Sequence, residues 1–387
     1  MSLVPAGATL GDDGAALIEA VREFAEQELL PLDRRWDLDE SSVAEALPKL
    51  SAMGLLNLLI PEDCGGLGCN YRTYAAIIHE LAVWSPSTAV TVSVHNMVGG
   101  ILQKFAVDPL RGRLLPKWGE PENFGAFSVS EADAGSDAAS IKTTAVAADG
   151  WYRVSGEKMW VTNGLSAGWF FILARLQSAA ERESFCTFLI DGKSDGITRH
   201  KIHGKMGIRG SETAVVHLGD VFVPAEQMIG TPGKGLHVCL STLNGGRIGI
   251  AAQATGIAAA CLAEMVSYAR TREQFGQTIG KFQAIGNMIA DSAVELEASK
   301  CLVWRAALRV DAGETNRTSS SMAKLYASEA ANRIAYRAVQ VHGGAGYVRE
   351  CRVEQLYRDA RITTIYEGTS EIQRVELARG MAGAEWR

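Results

Sequence analysis

Paired cysteines are missing from this sequence. Its seven cysteines, at 64, 69, 186, 239, 261, 301 and 351, are odd in number and scattered without a C-x-x-C pair, which argues against a disulfide framework and for a reduced compartment. Histidine is also sparse, with only His200 and His203 close together, in a segment of β character, so no metal site is expected. An excess of basic charge is absent too. A net charge of -6 leaves no broad footprint for nucleic acid or an anionic membrane, and any phosphate must be gripped locally. No apolar stretch reads as long and charge-free enough to span a bilayer. The opening "MSLVPAGATLGDDG" has neither a basic n-region nor an Arg-rich amphipathic pattern. A cytoplasmic bacterial protein, or an already processed mitochondrial matrix form, is expected. Internal repeats and low-complexity segments are also lacking.

What is present is enough apolar material for a large core: 387 residues, 47% hydrophobic and 21% charged, a size for two or three domains. From about 12 to 118 the apolar spacing is helical. Leu17, Val21, Phe24 and Ala25 follow the 3–4 period up to Pro31, expected to close that helix, and further helices are expected at 42–53, 71–84, 87–105 and 108–118. Between about 123 and 231 short β-branched and aromatic runs such as "WFFILARL" and "TAVVHLGDVFVP" end in Gly, Asn or Asp, the texture of an antiparallel β-domain. Helical periods then return at 247–270, where small residues dominate, and at 283–311, 319–341, 351–360 and 370–379. The fold class read from this is α+β, mainly α: an N-terminal helical domain over 1–122, a middle β-domain over 123–231 and a C-terminal helical domain over 232–387.

Several motifs fail on context. "GLSAG" at 164–168 matches G-x-S-x-G but is followed at once by another strand-like run, so a hairpin turn is expected there rather than a nucleophile elbow. "TPGKGL" lacks the Ser or Thr of a phosphate loop, and "GGAGY" is not G-x-G-x-x-G after a strand. "EADAGSD" has three acids but no EF-hand frame.

Five stretches survive together: "FSVSEADAGSD" (127–137), "EKMWVTNG" (157–164), "YARTREQFGQTIGKFQAI" (268–285), "AVQVHGGAGYVRE" (338–350) and "IYEGTSEIQR" (365–374). In this order they resemble the acyl-CoA dehydrogenase family of flavoproteins, over nearly the whole chain from about 12 to 380. The resemblance implies an N-terminal helical domain, a middle antiparallel β-barrel and a C-terminal four-helix bundle, assembled as a homotetramer built from dimers. It implies FAD as cofactor, an acyl-CoA substrate and electron-transfer flavoprotein as electron acceptor. Phe127, Val129, Ser130, Trp160 and Thr162 offer donors and an apolar wall to a flavin ring in alternating β positions. Arg272, Phe275, Gln283, Gln340, Gly343 and Gly344 are implied to reach the flavin of a neighbouring subunit, the glycines permitting close approach to a phosphate.

Glu367 follows the β-branched, aromatic run 362–366, which is expected to pass through the interior and raise the carboxylate's pKa, as a working base needs. Gly368 permits a tight turn, and Ser370 with Gln373 fits an S-x-x-Q capping box on the last helix. By resemblance Glu367 removes the α-proton of the acyl thioester, and its own amide, with a ribityl hydroxyl of FAD, meets the enolate oxygen. The β-hydride then goes to the flavin, giving a trans-2-enoyl thioester. Some branches carry the base just before the Arg of "LNGGR"; here that position is Gly246. Substrate contacts carry over to Ser136, Asn244, Arg247 and Gly368, with Thr369 and Glu371 near the FAD adenosine. Asn244 stands where the family usually has Asp, and Ala132 where its loop has Pro. "SVHNMVGG" (93–100) looks most like the short-chain branch, and no Arg over 85–100 is available to pair a second carboxylate, so a short or branched monocarboxylic acyl group is expected. Two alternatives stay open: an acyl-carrier-protein-linked dehydrogenase of secondary metabolism, and an oxygen-using acyl-CoA oxidase.

Overall fold

The computed structural model describes residues 2–5, 7–177, 184–314 and 317–382. The first helix, α1 (Gly11–Phe24), does not stop at Pro31. A π turn over Ala25–Leu29 carries the chain straight into α2 (Leu30–Asp39), with Pro31 in its first turn. After α3 (Leu47–Ala52) come the two helices that matter for the site, α4 (Tyr71–Trp84) and α5 (Pro86–Phe105). Each starts on a side-chain cap: Asn70 accepts from the Thr73 amide, and Ser85 from the Thr88 amide. Helix α5 is buried along almost its whole length, and short α6 (Leu110–Leu114) follows it.

The middle segment forms β1 (Gly125–Ser128), β2 (Thr144–Ala148), β3 (Trp151–Thr162), β4 (Trp169–Leu176), β5 (Phe185–Asp191), β6 (Ile197–Lys201), β7 (Thr213–Pro224) and β8 (Met228–Ile229). Two expectations are corrected here. The sheet is not a closed barrel: its order β6-β7-β3-β2-β4-β5-β8 leaves β6 and β8 as edges, with β1 attached to β4. Nor is it purely antiparallel, because β1 and β2 both run parallel to β4. The cause is competition for one side of β4: Phe170 and Phe171 pair with β1, while Arg175 and Leu176 pair with β2, so the sheet forks at that strand. The expected hairpin at 164–168 is also absent, since β3 and β4 are not neighbours; the turn carries the chain across β2 instead.

Helix α7 (Gly235–Thr271) starts twelve residues before the expected 247, and its apolar residues face every direction because α4, α5, α8, α9 and α10 enclose it. Part of it is apolar and long enough to cross a bilayer, contrary to the sequence reading, but that part is 89% buried inside the protein, as a core helix is. Small residues are needed at its crossings: a Cβ on Gly256 would lie 2.4 Å from the His79 carbonyl of α4. The hairpin of β9 (Glu273–Gln274) and β10 (Gln277–Thr278) leads to α8 (Gln283–Asp311), α9 (Arg317–His342), α10 (Arg352–Ile362) and α11 (Ser370–Ala382). Helices α7 and α9 run parallel. Arg247 bonds Ser321 near their starts, and Tyr268 stacks on His342 at 4.2 Å near their ends. Helix α8 returns antiparallel, with Arg337 of α9 on Glu295 and Arg309 on Ser319.

Two polar clusters fasten the structure, one between parts of the chain and one within the middle segment. Arg358 of α10 pairs with Asp37 of α2 and donates to the Met206 carbonyl, while Asp359 accepts from the Ile208 amide, so α10 is fixed to both other parts of the chain. In the second, Glu131 accepts from the Lys142 and Thr143 amides, the Thr143 hydroxyl and the ammonium of fully buried Lys158, at 2.7 Å. Burial alone would raise the Glu131 carboxyl, but the Lys158 and Thr143 bonds outweigh it and hold it below the usual range. Glu131→Ala leaves Lys158 uncompensated and is expected to cost about 3–5 kcal/mol in urea unfolding. A carboxyl lowered on folding contributes stability above its unfolded value of 4.5 and loses it as pH falls through the folded value. The wild-type protein should therefore lose part of its margin over Glu131→Ala in unfolding experiments taken below that pH.

Candidate active site

Between α10 and α11 the chain makes a turn whose two central residues are both left-handed, Glu367 at φ 53° and Gly368 at φ 88°. For Glu367, which is not a glycine, this backbone costs on the order of 1 kcal/mol and marks a held conformation. What holds it is a set of side chains on the turn's carbonyls. Lys324 donates to the Gly368 oxygen at 2.6 Å, and the Gln373 amide donates to the Glu367 and Gly368 oxygens at 3.1 and 3.0 Å. The expected capping box is therefore not formed. Thr369, not Ser370, caps α11 by accepting from the Ile372 amide, and Gln373 is spent on the turn.

The turn aims the Glu367 carboxylate at α7. A Cβ built on Gly246 would lie 2.5 Å from its Oε2 and 2.9 Å from the Met97 sulfur, so the carboxylate occupies a notch that exists because residue 246 has no side chain. Oε2 is shielded from solvent and accepts no hydrogen bond among the described residues. Burial raises the carboxyl to about 7, against the opposing pull of Arg247 and Lys324. The expectation for 362–366 needs one adjustment: α10 reaches Ile362, and the acid is buried by the notch more than by an extended run before it. Arg247, the next residue on α7, is buried and donates to Ser321 at 3.1 Å, while its Nε has no partner among the described residues. One turn before it, Asn244 lies 3.5 Å from the Ser320 hydroxyl. One turn beyond Gly246, Gly249 makes room for Ser93, which is bonded to Tyr74 at 2.8 Å.

An apolar wall joins this centre to the middle segment. Val90 and Val94 of α5, Ile250 of α7 and Ile208 pack together with Phe127 of β1, Ile362 and Tyr366. Val129 and Ser130 follow β1. Trp160 lies on β3 at an irregularity in its pairing with β7, between Lys158 and Val161, and Thr162 just beyond it pairs with Thr213. There Trp160 is left-handed and 57% exposed, so the five residues do not simply alternate as a regular strand would have them. Ser136 stands exposed in the loop that Glu131 anchors. Thr369 and Glu371 line a shallow cleft with Glu329, Arg361, Thr364 and Ile365 on the outer side of the turn.

The other six candidates are elsewhere. Arg272 caps the far end of α7. From Arg247 to Arg272 is 25 residues of this helix and its cap, roughly 37 Å at about 1.5 Å per residue. Phe275, left-handed and 92% exposed, tips the hairpin beyond it, with Gln283 opening α8. Gln340, Gly343 and Gly344 stand exposed at the matching end of α9, and a Cβ at either glycine would meet none of the described residues within 4 Å. One chain thus carries two separate groups of candidates.

Comparison with known proteins gives this geometry its context. Residues 11–122, 126–221 and 233–382 match the family descriptions "Acyl-CoA dehydrogenase, N-terminal domain", "middle domain" and "C-terminal domain". The chain belongs to the acyl-CoA dehydrogenase family. It is 39% identical over 363 residues to the mitochondrial short-chain specific acyl-CoA dehydrogenase of Homo sapiens, covering 94% of this chain and 88% of that protein. The structure of butyryl-CoA dehydrogenase from Megasphaera elsdenii is similar with a TM-score of 0.93 and 34% identity, covering 97% of this chain and 99% of that one. A chain in the structure described as the electron transferring flavoprotein of Acidaminococcus fermentans is similar with a TM-score of 0.94 and 34% identity, covering 96% and 98%. As a member of the acyl-CoA dehydrogenase family the protein is an FAD-dependent oxidoreductase acting on CH–CH groups.

Sequence reasoning missed Lys324, Gln373, Met97, Ser93 and Tyr74. The signal for Lys324 was available: it sits four residues after Ser320 and three before Ala327, on the buried stripe of α9, where a solvated lysine does not belong. The notch yields a test of sign. Gly286→Ala on α8, where a Cβ meets none of the described residues within 4 Å, should stabilise by about 0.5–1 kcal/mol. Gly246→Ala should instead destabilise by about 1–3 kcal/mol in urea unfolding, and a Glu367→Ala background should shrink that penalty.

Proposed function

We propose that this protein carries out the FAD-dependent α,β-dehydrogenation of a short or branched acyl-CoA to the trans-2-enoyl-CoA, with Glu367 as the base that takes the α-proton. The observation that carries the reading is the Glu367 carboxylate in the Gly246 notch. It is desolvated and raised to about 7, with one oxygen unpartnered among the described residues. A base with that value is about half ionised at neutral pH and has a high proton affinity, which matches it to a weakly acidic carbon. Gly246 itself cannot act as the base, and any side chain there would displace Glu367.

In this reading the thioester lies against the Glu367–Gly368 turn, where the Glu367 amide is the donor for the developing enolate oxygen. Arg247 and Asn244 line the α7 side, Gly368 contacts the thioester, and Ser136 in its exposed loop reaches the CoA moiety. The wall of Val90, Val94, Ile250, Phe127 and Tyr366 excludes water from the acyl group, and the Tyr74–Ser93 pair near Gly249 limits its length. FAD, when bound, supplies the hydride acceptor. The residues present suit it. Trp160 offers an open indole face, Phe127, Val129, Ser130 and Thr162 offer an apolar side and hydroxyls nearby, and Thr369 and Glu371 share the outer cleft suited to the adenosine.

Arg272, Phe275, Gln283, Gln340, Gly343 and Gly344 lie too far along α7 and α9 to join the base of the same chain, which supports their serving the flavin of a second copy. The homotetramer, with 232–387 as a helical bundle at its centre and 1–122 and 123–231 as the outer domains, follows from that reading. Electron-transfer flavoprotein is the proposed acceptor, and the bacterial cytoplasm the proposed location. The short-chain relative and the butyryl-CoA dehydrogenase structure support the acyl length.

The test is anaerobic mixing of the yellow protein with a panel of acyl-CoAs while following oxidised-flavin absorbance. Straight or branched short-chain acyl-CoAs should bleach it, and a panel that leaves it yellow contradicts the substrate class. Glu367→Gln should keep FAD and bind acyl-CoA but slow bleaching by at least about a thousandfold.

A further inference from the structure

Lys324 is fully buried on α9, and among the described residues it forms no ion pair. A buried ammonium whose recorded bond is to a carbonyl is costly, and a buried amide or methionine would fill the space more cheaply. Its place explains the retention. It bonds the Gly368 oxygen at 2.6 Å, next to the left-handed Glu367, and the Gln373 amide bonds the same oxygen at 3.0 Å. We propose that Lys324 is a positioning residue for the base: its ammonium clamps the Glu367–Gly368 turn through the Gly368 carbonyl and sets a positive charge near the Glu367 carboxylate. This rests on the reading of Glu367 as the α-proton base.

The charged and titratable groups around the pair are few. Glu367 faces Arg247 of α7, Lys324 of α9, Tyr74 of α4 and Tyr366 of its own segment. Lys324 faces Arg247, Glu329 and Glu371 besides Glu367. Burial pushes Lys324 down to about 8 and Glu367 up to about 7, each moderated by the other's charge. Loss of the Lys324 charge therefore raises the Glu367 carboxyl further, so the base is ionised only at higher pH. A residue that merely filled space would alter melting without moving that value.

The experiment titrates the Glu367 carboxyl in the FAD-loaded protein, using glutamate labelled with carbon-13 at the side-chain carboxyl and infrared difference spectra against Glu367→Gln. In Lys324→Gln, which keeps a donor and loses the charge, the midpoint should move up by at least about one pH unit. In Lys324→Arg it should stay near the wild-type value, and Lys324→Met should move it upward as Lys324→Gln does. The acid limb of acyl-CoA-driven flavin bleaching should move with the midpoint. An unmoved or lowered midpoint in Lys324→Gln overturns the assignment. Because the titration needs no substrate, a shifted midpoint in a protein that no acyl-CoA bleaches would retain the role of Lys324 while rejecting the dehydrogenation itself.

Discussion

A carboxylate held against the bare backbone of a glycine is the contact around which the rest of this molecule is arranged. Burying a charge in protein without a matched partner is unfavourable, and the Glu367 carboxyl responds by rising to about 7. Two buried cations, Arg247 and Lys324, oppose that rise without closing on the carboxylate as salt bridges, so the group stays near the point where it can be ionised and still bind a proton strongly. A full salt bridge would pin it ionised and weaken it as a base. No cation at all would leave it protonated at neutral pH.

The fold supplies that balance from separate parts of the chain. Helix α7 brings Gly246 and Arg247, its parallel neighbour α9 brings Lys324, α5 brings Met97 and α4 brings Tyr74. The turn itself is placed by α10, which Arg358 and Asp359 fasten to α2 and to the 206–208 segment. The same long helices that assemble the base carry Arg272 and Gly343 roughly 30–40 Å away at their other ends. A long parallel pair thus separates Glu367 from the second group of candidate residues.

Much of this was legible in the sequence, for identifiable reasons. The helices over 283–311 and 71–84 were read nearly to the residue because their apolar stripes are regular and their ends are marked by caps or turns. Helix α7 began earlier than read although Leu236, Leu240 and Leu243 already follow the helical spacing, and Pro31 was misread because a π turn shifts it into the start of a new helix. The middle segment's strands were visible, but not that β1 and β2 both claim β4, since parallel pairing is decided by contacts far apart in sequence. At the site, Glu367 and Gly246 were recognisable by motif. That they touch, and that Lys324 and Gln373 hold the turn, required the packing of α7, α9 and α11 around it, which no local pattern encodes.

The central claim is that Glu367 itself takes the α-proton from a position where burial has raised its affinity. Exchange of that proton into heavy water, followed by NMR on an acyl-CoA analogue whose β position carries no hydrogen to transfer, isolates this step from oxidation. The wild-type protein should catalyse exchange with a rate that rises with pH and is half-maximal near 7. Glu367→Gln should show none above the uncatalysed background. Exchange that persists in Glu367→Gln, or a half-maximal point in the ordinary carboxylate range near 4.5, would contradict it.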